Sequence, residues 1–274
     1  MSRTVCWFSA GAPSAVAAKL ALAGGGDVII AYTDPGSEHP DNHRFMADCE
    51  KWFGQEVIKL KGDYEDTWDV WEKTKFLVGP MGARCTTELK RKPRFKFERP
   101  DDIQVFGYTA EEEHRAIRFR EQNPGVILST PLIEKGLTKP DCLAMVQRAG
   151  IELPEMYKLG YAYNNCVGCV KGGMGYWNKI RVDFPDVFDR MAKLERTLDN
   201  TVLRDKGTPL FLDELDPKRG NHQTEASIEC SLLCIMAEDD FEPTPEPVTI
   251  KGKIPKEKLQ EMYRGYHKNE PLEE

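Results

Sequence analysis

Eight cysteines are spread along the chain, and four of them form two short motifs. Cys166 and Cys169 make a Cys-x-x-Cys pair in a glycine-rich stretch, while Cys230 and Cys234 make a Cys-x-x-x-Cys pair. A fifth cysteine, Cys85, stands next to a basic segment. Thiolates at such spacings bind soft metals or form a redox dithiol. These five residues are the first candidates for chemistry.

Three sites are compatible with these cysteines. A 4Fe–4S cluster would use Cys85, Cys166, Cys169 and one of Cys230 or Cys234. A structural zinc would use the two pairs as a closed tetrahedral set. A metal-free dithiol would use Cys166 and Cys169 alone. Because the two pairs lie far apart and could converge, their spacing favours a metal over the dithiol.

The remaining cysteines, Cys6, Cys49 and Cys142, lie in strand or helix patterns and are expected to be small core residues. His39 and His43 stand among acidic residues, but they repeat no familiar ligand spacing. We expect a solvated loop there, with Asp41 capping the helix that follows.

A concentrated basic segment runs from Arg84 to Arg99 in a chain whose net charge is -7. Arginine forks grip phosphate or sulfate, and lysine adds a point charge, so the segment predicts a small-anion site. A nucleic-acid backbone and a merely solvated amphipathic helix are the alternatives. The seven basic residues are Arg84, Lys90, Arg91, Lys92, Arg94, Lys96 and Arg99.

The loop from Ser9 to Ser14 joins the first predicted strand to the first predicted helix. Small residues let backbone N–H groups approach a ligand, and the helix dipole favours an anion. Glycine-rich turns of this kind also occur for packing reasons alone. The candidate ligand-binding residues of this loop are Ser9, Gly11, Ala12 and Ser14.

The elements that must position these residues alternate between strand and helix. Apolar, β-branched runs predict strands at 4–9, 27–33, 57–60, 103–109 and 126–129. Helical patterns fall at 14–23, 41–53 and 111–121. The alternation predicts an α/β fold: a Rossmann-like, open, mostly parallel twisted sheet flanked by helices. Ligands would bind at the carboxyl ends of its strands.

The pattern changes from residue 139 onward. Helices are predicted at 139–149 and 187–198, around the glycine- and cysteine-rich stretch, and no later strand is predicted. We therefore expect a nucleotide-binding α/β core over 1–138 and a helical, cysteine-rich part over 139–237. The acidic, proline-rich remainder, 238–274, is expected to be a mobile tail.

Composition narrows the class of protein. The chain has 274 residues, is 40% hydrophobic and 30% charged, and has apolar stretches far shorter than a membrane helix needs. Its first residues contain no signal-peptide pattern, so a cytoplasmic location without membrane contact is expected, with reduced cysteines. The acidic balance argues against binding polyanions over the whole surface.

Several segments in order resemble the phosphoadenosine phosphosulfate (PAPS) reductases of the adenine-nucleotide α-hydrolase-like, or PP-loop, superfamily. The opening loop 8–16 resembles theirs, and 32–36 with 43–45 resembles the stretch after their second strand. Segment 107–115 resembles their Gly-x-Arg-x-x-Glu/Gln-Ser-x-x-Arg motif, closing at Arg115. Segments 131–132 and 157–161 resemble later motifs. Arg84 stands where cluster-containing relatives have the first cysteine of a Cys-Cys pair.

The resemblance implies roles for particular residues. An adenine nucleotide would lie across Ser9–Ser14, with its adenine near Tyr32 and Asp34. Its charged groups would face Arg84, Lys90, Arg91 and Arg115, and Lys90 and Arg115 would assist catalysis. Cys85, Cys166, Cys169 and Cys234 would hold the cluster, with zinc as the alternative metal. Cys230, in a weak echo of the reductases' Glu-Cys-Gly-Leu-His motif, would be the nucleophile.

Three functions remain open at this stage. A PAPS or APS reductase would release sulfite, with a thioredoxin- or glutaredoxin-type reductant as partner. An ATP-dependent sulfurtransferase, using ATP with Mg, would thiolate DNA or tRNA. A nucleotide- or nucleic-acid-binding module without catalysis is the third, since Ala10 and Pro13 depart from the loop of ATP pyrophosphatases. A homodimer is the assembly to test.

Overall fold

Five parallel strands form the central sheet in the order β3-β2-β1-β6-β7. The computed structural model describes residues 2–79, 82–164, 166–225 and 228. Thr4 lies opposite Val28 on one side of β1 and opposite Ile103 on the other. Two short antiparallel hairpins, β4-β5 and β8-β9, stand apart from the sheet. The strands are β1 Thr4–Trp7, β2 Val28–Thr33, β3 Ile58–Leu60, β4 Val78–Gly79, β5 Gly82–Ala83, β6 Ile103–Val105, β7 Ile127–Ser129, β8 Leu203–Asp205 and β9 Thr208–Leu210.

Helices follow most of the strands, as a parallel sheet requires. A π-helical turn, Thr87–Arg91, joins α4 to α5, and single 3₁₀ turns lie at Ala110–Glu112 and Leu212–Glu214. The α-helices are α1 Ala12–Ala23, α2 Asn42–Phe53, α3 Thr67–Thr74, α4 Arg84–Thr86, α5 Lys92–Phe97, α6 Glu113–Gln122, α7 Pro131–Glu134, α8 Lys139–Arg148, α9 Glu155–Lys158, α10 Met174–Asp183 and α11 Pro185–Leu198.

Each face of the sheet has its own core because side chains alternate along a strand. Cys6 and Ile30 face the layer that contains α1, α2 and α8. Val5 and Ala31, their neighbours in sequence, face the opposite layer, in which Phe119 of α6 is buried. The α/β fold predicted from the alternation of strands and helices is confirmed.

A third core lies around the C-terminal helices of the described chain. Trp177 of α10 and Met191 of α11 are completely buried in it. Trp71 and Leu89, from the first part of the chain, pack into the same cluster. Cys169 belongs to this core as well. The turn from Cys166 to Cys169, called the cysteine turn below, is therefore part of a packed structure. The boundary near residue 138 stays a prediction.

One prediction about the later chain is wrong, because β8 and β9 pair there as an antiparallel hairpin. Its two-residue turn, Lys206-Gly207, has positive φ at both positions, 48° and 89°. Such a turn matches the twist of a hairpin and favours glycine. The strands are three residues each, too short to stand out in a hydropathy pattern.

The strand order fixes where a ligand would bind. The chain continues from β1 outward to β2 and β3, then returns to the other side of β1 with β6 and β7. The order therefore reverses between β1 and β6. In open parallel sheets, ligands bind outside the carboxyl ends of the strands at this reversal. Among the described residues, no helix is long and apolar enough to cross a membrane.

Candidate functional site

The loop after β1 holds itself in shape through Ser14. The Ser14 hydroxyl accepts a hydrogen bond from Ser9 N–H at 3.0 Å and donates one to the Gly11 carbonyl at 2.9 Å. Ala10 has a left-handed φ of 52°, which turns the chain sharply into α1. Four predicted ligand-binding residues, Ser9, Gly11, Ala12 and Ser14, thus lie at one helix N-terminus. Gly11 precedes that helix without a side-chain cap.

Tyr157 covers the start of α1. Its hydroxyl accepts a hydrogen bond from the Ala12 N–H, and a Cβ placed on Gly11 would lie 3.2 Å from that hydroxyl. An anion at the N-terminus of α1 would have to share or take this amide. The sequence placed Tyr157 in a family-like turn but did not identify it as part of the site.

The carboxyl end of β6 packs directly on the same helix. A Cβ added to Gly107 would lie 2.7 Å from both Cα and N of Ser14, so only glycine fits there without a shift. Arg115, on α6 beyond this point, donates to Glu112 and lies 5.3 Å from the Tyr108 ring centre. The predicted catalytic Arg115 is therefore held by the 3₁₀ turn that precedes its helix and by a neighbouring ring.

The loop after β2 centres on a buried carboxylate, Glu38. Its Oε2 accepts from the Tyr32 hydroxyl at 2.9 Å and from Asn42 Nδ2 at 2.7 Å. Lys90 Nζ lies 3.8 Å from Oε1. Burial raises the pKa of Glu38, while Lys90 and the two donors act in the opposite direction. Asp34, also predicted to bind the nucleotide, accepts from the Gly36 N–H at 2.9 Å.

The basic segment is helical from α4 to α5, but much of it is buried. The alternative of a merely solvated amphipathic helix is therefore wrong. Four of its charged residues are only 2–7% exposed: Glu88, Lys90, Arg91 and Arg94. The helix packs closely, since a Cβ on Gly62 would lie 2.6 Å from the Glu88 carbonyl oxygen. π-Helical turns such as the one at its centre are rare and often found at functional sites.

Most cations of this segment are paired within the chain. Arg84 and Lys92 both contact Glu88, at 2.7 and 2.8 Å, and Arg94 contacts Glu98 at 2.7 Å. Arg94 also lies 5.5 Å from the ring centres of Phe106 and Phe119, against the sheet. Burial lowers the pKa of its guanidinium. Arg94 therefore packs this helix against Phe106, just after β6, and against α6.

The cysteine turn and Asn164, two residues before it, lie against the loops that follow β1 and β2. Asn164 Nδ2 donates to the Ala10 carbonyl at 2.6 Å and to Asn42 Oδ1 at 2.7 Å. The Val167 N–H donates to the Ser37 carbonyl at 2.9 Å, and Glu38 and Cys166 form a backbone bridge. The structure therefore brings Cys166 next to the loop after β2, 128 positions earlier in sequence at Glu38.

The turn itself is organised by Tyr176. Its hydroxyl accepts from the amides of Gly168 and Cys169, at 3.1 and 3.0 Å, and donates to the Cys166 carbonyl at 3.2 Å. Cys166 and Cys169 are both buried. Cys85 is partly buried and packs against the same hydrophobic cluster as Cys169.

The donor set for a metal is incomplete in the described part of the chain. Cys166 and Cys169 supply two soft thiols on one turn, which suits an iron–sulfur cluster or zinc. Nowhere in the described ranges do three His, Cys, Asp or Glu side chains surround one metal position. Cys230 and Cys234, predicted as nucleophile and ligand, lie outside those ranges. The cluster therefore stays a prediction.

Other sequence predictions have clear outcomes. Cys6, Cys49 and Cys142 are fully buried, as expected for core residues, and burial raises the pKa of Cys6 and Cys142 to about 12. Asp41 does not cap α2. Its carboxylate instead pairs with Arg44 at 2.6 Å and accepts from the Glu155 N–H at 2.9 Å, so it ties α2 to α9.

Four residues of the site were not identified as such from sequence: Glu38, Tyr157, Asn164 and Tyr176. Asn164 is the one with a usable signal, since it is a polar residue directly before the Asn165-Cys166 motif. The others act through hydrogen bonds between segments that are distant in sequence, and no local pattern marks such partners.

The solved structures similar to this chain include a reductase and a tRNA thiolase. The PAPS reductase from Candida auris, solved as a phosphate complex, is 13% identical, with a TM-score of 0.45, and the match covers 61% of this chain and 82% of that one. The U34-tRNA thiolase NcsA from Methanococcus maripaludis, with its [4Fe-4S] cluster, is 14% identical, with a TM-score of 0.41, and the match covers 87% and 82%. The fold assignment rests on the strand order and register described above.

Among curated proteins, an uncharacterized protein of Methanocaldococcus jannaschii is 26% identical over 205 residues. The match covers 69% of this chain, and the chain spans 40% of the length of that relative. No family model matches the chain. The sequence motifs resemble the PAPS reductase family, and one PAPS reductase is among the solved structures to which this chain is similar.

Proposed function

We propose that this chain is a PP-loop-type enzyme that binds an adenine nucleotide and carries out sulfur chemistry beside it. The observation that carries the proposal is the contact between the cysteine turn and the loops at the carboxyl ends of β1 and β2. Asn164 reaches the Ala10 carbonyl, and Cys166 bridges to Glu38. The turn that carries Cys166 and Cys169 therefore lies beside the loops proposed for the nucleotide, which supports the proposal.

In the reductase-like form of the proposal, PAPS or APS lies across Ser9–Ser14 with adenine near Tyr32 and Asp34. Lys90, Arg91, Arg84 and Arg115 face the charged groups. The Cys230 thiolate attacks the sulfate sulfur and displaces the nucleotide, leaving a cysteine S-sulfonate. A thioredoxin- or glutaredoxin-type dithiol then reduces that bond, is itself oxidised to a disulfide, and frees sulfite.

A 4Fe–4S cluster, when bound at the carboxyl ends of the strands, would supply iron atoms that can coordinate sulfur and would add redox chemistry. Cys166 and Cys169 would hold it together with Cys85 and Cys234, with zinc as the alternative metal. The buried position of the two thiols of the turn supports such a role, since a shielded site protects a cluster from solvent. Cys85 supports it by packing against the same core.

The second candidate function is an ATP-dependent sulfurtransferase that thiolates DNA or tRNA. The same contact favours it, because a sulfur source held beside a nucleotide loop also suits an acceptor activated by adenylation. In that form ATP with Mg would occupy Ser9–Ser14, and Cys166 and Cys169 would help hold a cluster that supplies the sulfur chemistry. A module that binds nucleotide without catalysis is the third interpretation.

Calorimetric titration and metal analysis of the full chain test the proposal together. The chain, purified without oxygen, is titrated with PAPS, APS and ATP–Mg, and its iron, sulfide and zinc are counted. We expect saturable binding of one of these nucleotides and about four irons and four sulfides per chain. A chain that binds none of the three nucleotides would contradict the proposal, whatever metal it holds. If the chain contains one zinc and no iron, the proposed metal is zinc and not a cluster.

A further inference from the structure

Three hydrogen bonds converge on a single hydroxyl at the cysteine turn. Tyr176, on α10, accepts from the Gly168 and Cys169 amides and donates to the Cys166 carbonyl, with all three lengths between 3.0 and 3.2 Å. The hydroxyl thus uses its proton and both acceptor positions on one four-residue turn. Tyr176 is 4% exposed, so water cannot easily replace these bonds.

The ring that carries this hydroxyl is fixed from several sides. A Cβ on Gly172 would lie 2.0 Å from Tyr176 Cδ1, so the ring lies directly on the backbone there. Tyr161 and Trp177 pack edge-on against it, with centre distances of 5.9 and 5.8 Å. The Glu225 carboxylate accepts from the Tyr176 backbone N–H at 2.9 Å. A ring held this firmly places its hydroxyl at one position.

The position of the hydroxyl determines the conformation of the turn. Gly168 has a φ of 78°, and a Cβ there would lie 2.6 Å from Val187 Cγ1, so the turn is both left-handed and tightly packed. Without the hydroxyl, two buried amides and one carbonyl would lose a partner. The turn would then have to open or to rearrange, and with it the directions of its two thiols.

We propose that Tyr176 is a positioning residue that sets the geometry of the Cys166 and Cys169 thiols. The inference deepens the proposed function, because those thiols are its proposed metal ligands. Groups that orient a metal's ligands through hydrogen bonds tune its binding even though they do not touch it. The geometry of the turn itself can be tested with no metal and no substrate present.

The test compares Tyr176→Phe with a matched control, Tyr161→Phe. Tyr161 is equally buried and lies in the same aromatic cluster, but its hydroxyl faces Asp183. The metal-free full chain is treated with iodoacetamide at one fixed pH. Mass spectrometry then follows the alkylation rate of the peptide that carries Cys166 and Cys169, and of Cys49 as a buried reference thiol.

We expect roughly tenfold faster alkylation of that peptide in Tyr176→Phe, with Cys49 unchanged, because a turn without these hydrogen bonds opens more easily. Tyr161→Phe should stay within about twofold of the wild type. Rates within twofold in folded Tyr176→Phe would overturn the inference. If that variant does not fold, Gly172→Ala decides, since its Cβ displaces the ring while keeping the hydroxyl: faster alkylation supports the inference, and an unchanged rate overturns it.

A second readout separates this inference from the proposed function. After reconstitution with iron and sulfide, we expect Tyr176→Phe to retain roughly 10-fold less metal at limiting iron than Tyr161→Phe. Wild-type protein that takes up no metal would contradict the proposed cluster, yet the alkylation rates would still decide the role of Tyr176. Equal metal retention by the two variants would show that the turn's geometry does not govern metal binding.

Discussion

Lys90 Nζ lies 3.8 Å from Glu38 Oε1, and both side chains are more than nine-tenths withdrawn from solvent. The pair joins the basic helix to the loop after β2. Through Asn42, which donates to Glu38 and accepts from Asn164, it also reaches the segment before the cysteine turn. The elements of the candidate site are thus joined by one buried polar network, whose members can be tested individually.

Replacing Glu38 by Gln should destabilise the chain by about 1–3 kcal/mol, because a neutral amide replaces the carboxyl group beside Lys90 and offers only one acceptor oxygen to the network. Urea unfolding at pH 7 measures the change. The control is Glu72→Gln, which removes a surface ion pair with Arg190 and should cost no more than about 0.5 kcal/mol. Equal effects of the two variants would show that the buried network adds nothing to stability.

Replacing Lys90 by Met should weaken binding of the anionic nucleotide by roughly 10- to 100-fold, as loss of a charge-assisted contact does. Lys96→Met is the matched control from the same basic segment. The Lys96 side chain is 67% exposed and pairs with Asp63 on the surface, so the nucleotide affinity of this variant should change less than about twofold. Calorimetric titrations of both variants check this. Equal affinities would remove Lys90 from the nucleotide site.

Glu195 gives a pH-dependent prediction for the third core, around the C-terminal helices. Its completely buried carboxylate accepts from the amides of Val202 and Leu212, at 2.6 and 2.7 Å, and burial raises its pKa to about 7. A raised pKa means that the folded state holds the proton more tightly than the unfolded state. The raised pKa of Glu195 therefore contributes on the order of 3 kcal/mol to the free energy of unfolding. This contribution is full below pH about 4.5 and is lost as the pH rises to about 7.

Urea unfolding from pH 4.5 to 8 measures that contribution as the difference between wild type and Glu195→Gln. The variant cannot titrate at this position, so its stability relative to wild type should rise steadily up to about pH 7 and then level off. A pH-independent difference would contradict the prediction, because it would mean that the pKa of Glu195 is the same in the folded and unfolded states.

Gly107→Ala should destabilise the chain by about 1–3 kcal/mol, because the new Cβ would lie 2.7 Å from the backbone of Ser14. The displacement falls on the loop that we propose for the nucleotide, so nucleotide affinity should fall as well. Gly125→Ala is the control, since its Cβ meets no atom within 4 Å. Thermal unfolding of both variants distinguishes a close backbone contact from a general effect of removing glycine. Equal midpoints would contradict this packing.

Much of the fold could be predicted from sequence because its elements are local patterns. The β-branched run at β2 predicts a strand buried on both faces, and Cys6 and Cys142 match their expected positions in the core. The burial of Lys90 and Arg94 could not be predicted this way, because charged residues are usually exposed and their partners, Glu38 and the sheet aromatics, are non-local. Asn164 meets Ala10 across 154 positions, a contact that only the folded chain creates.

Measuring turnover is the decisive experiment for the proposal that this chain couples an adenine nucleotide to sulfur chemistry. Iron-reconstituted full chain is incubated with PAPS and a dithiol reductant, or with ATP–Mg, a sulfide source and tRNA or DNA. We expect release of sulfite in the first mixture, or AMP and pyrophosphate together with a thiolated nucleic acid in the second. Protein that binds nucleotide and metal but forms none of these products would contradict it.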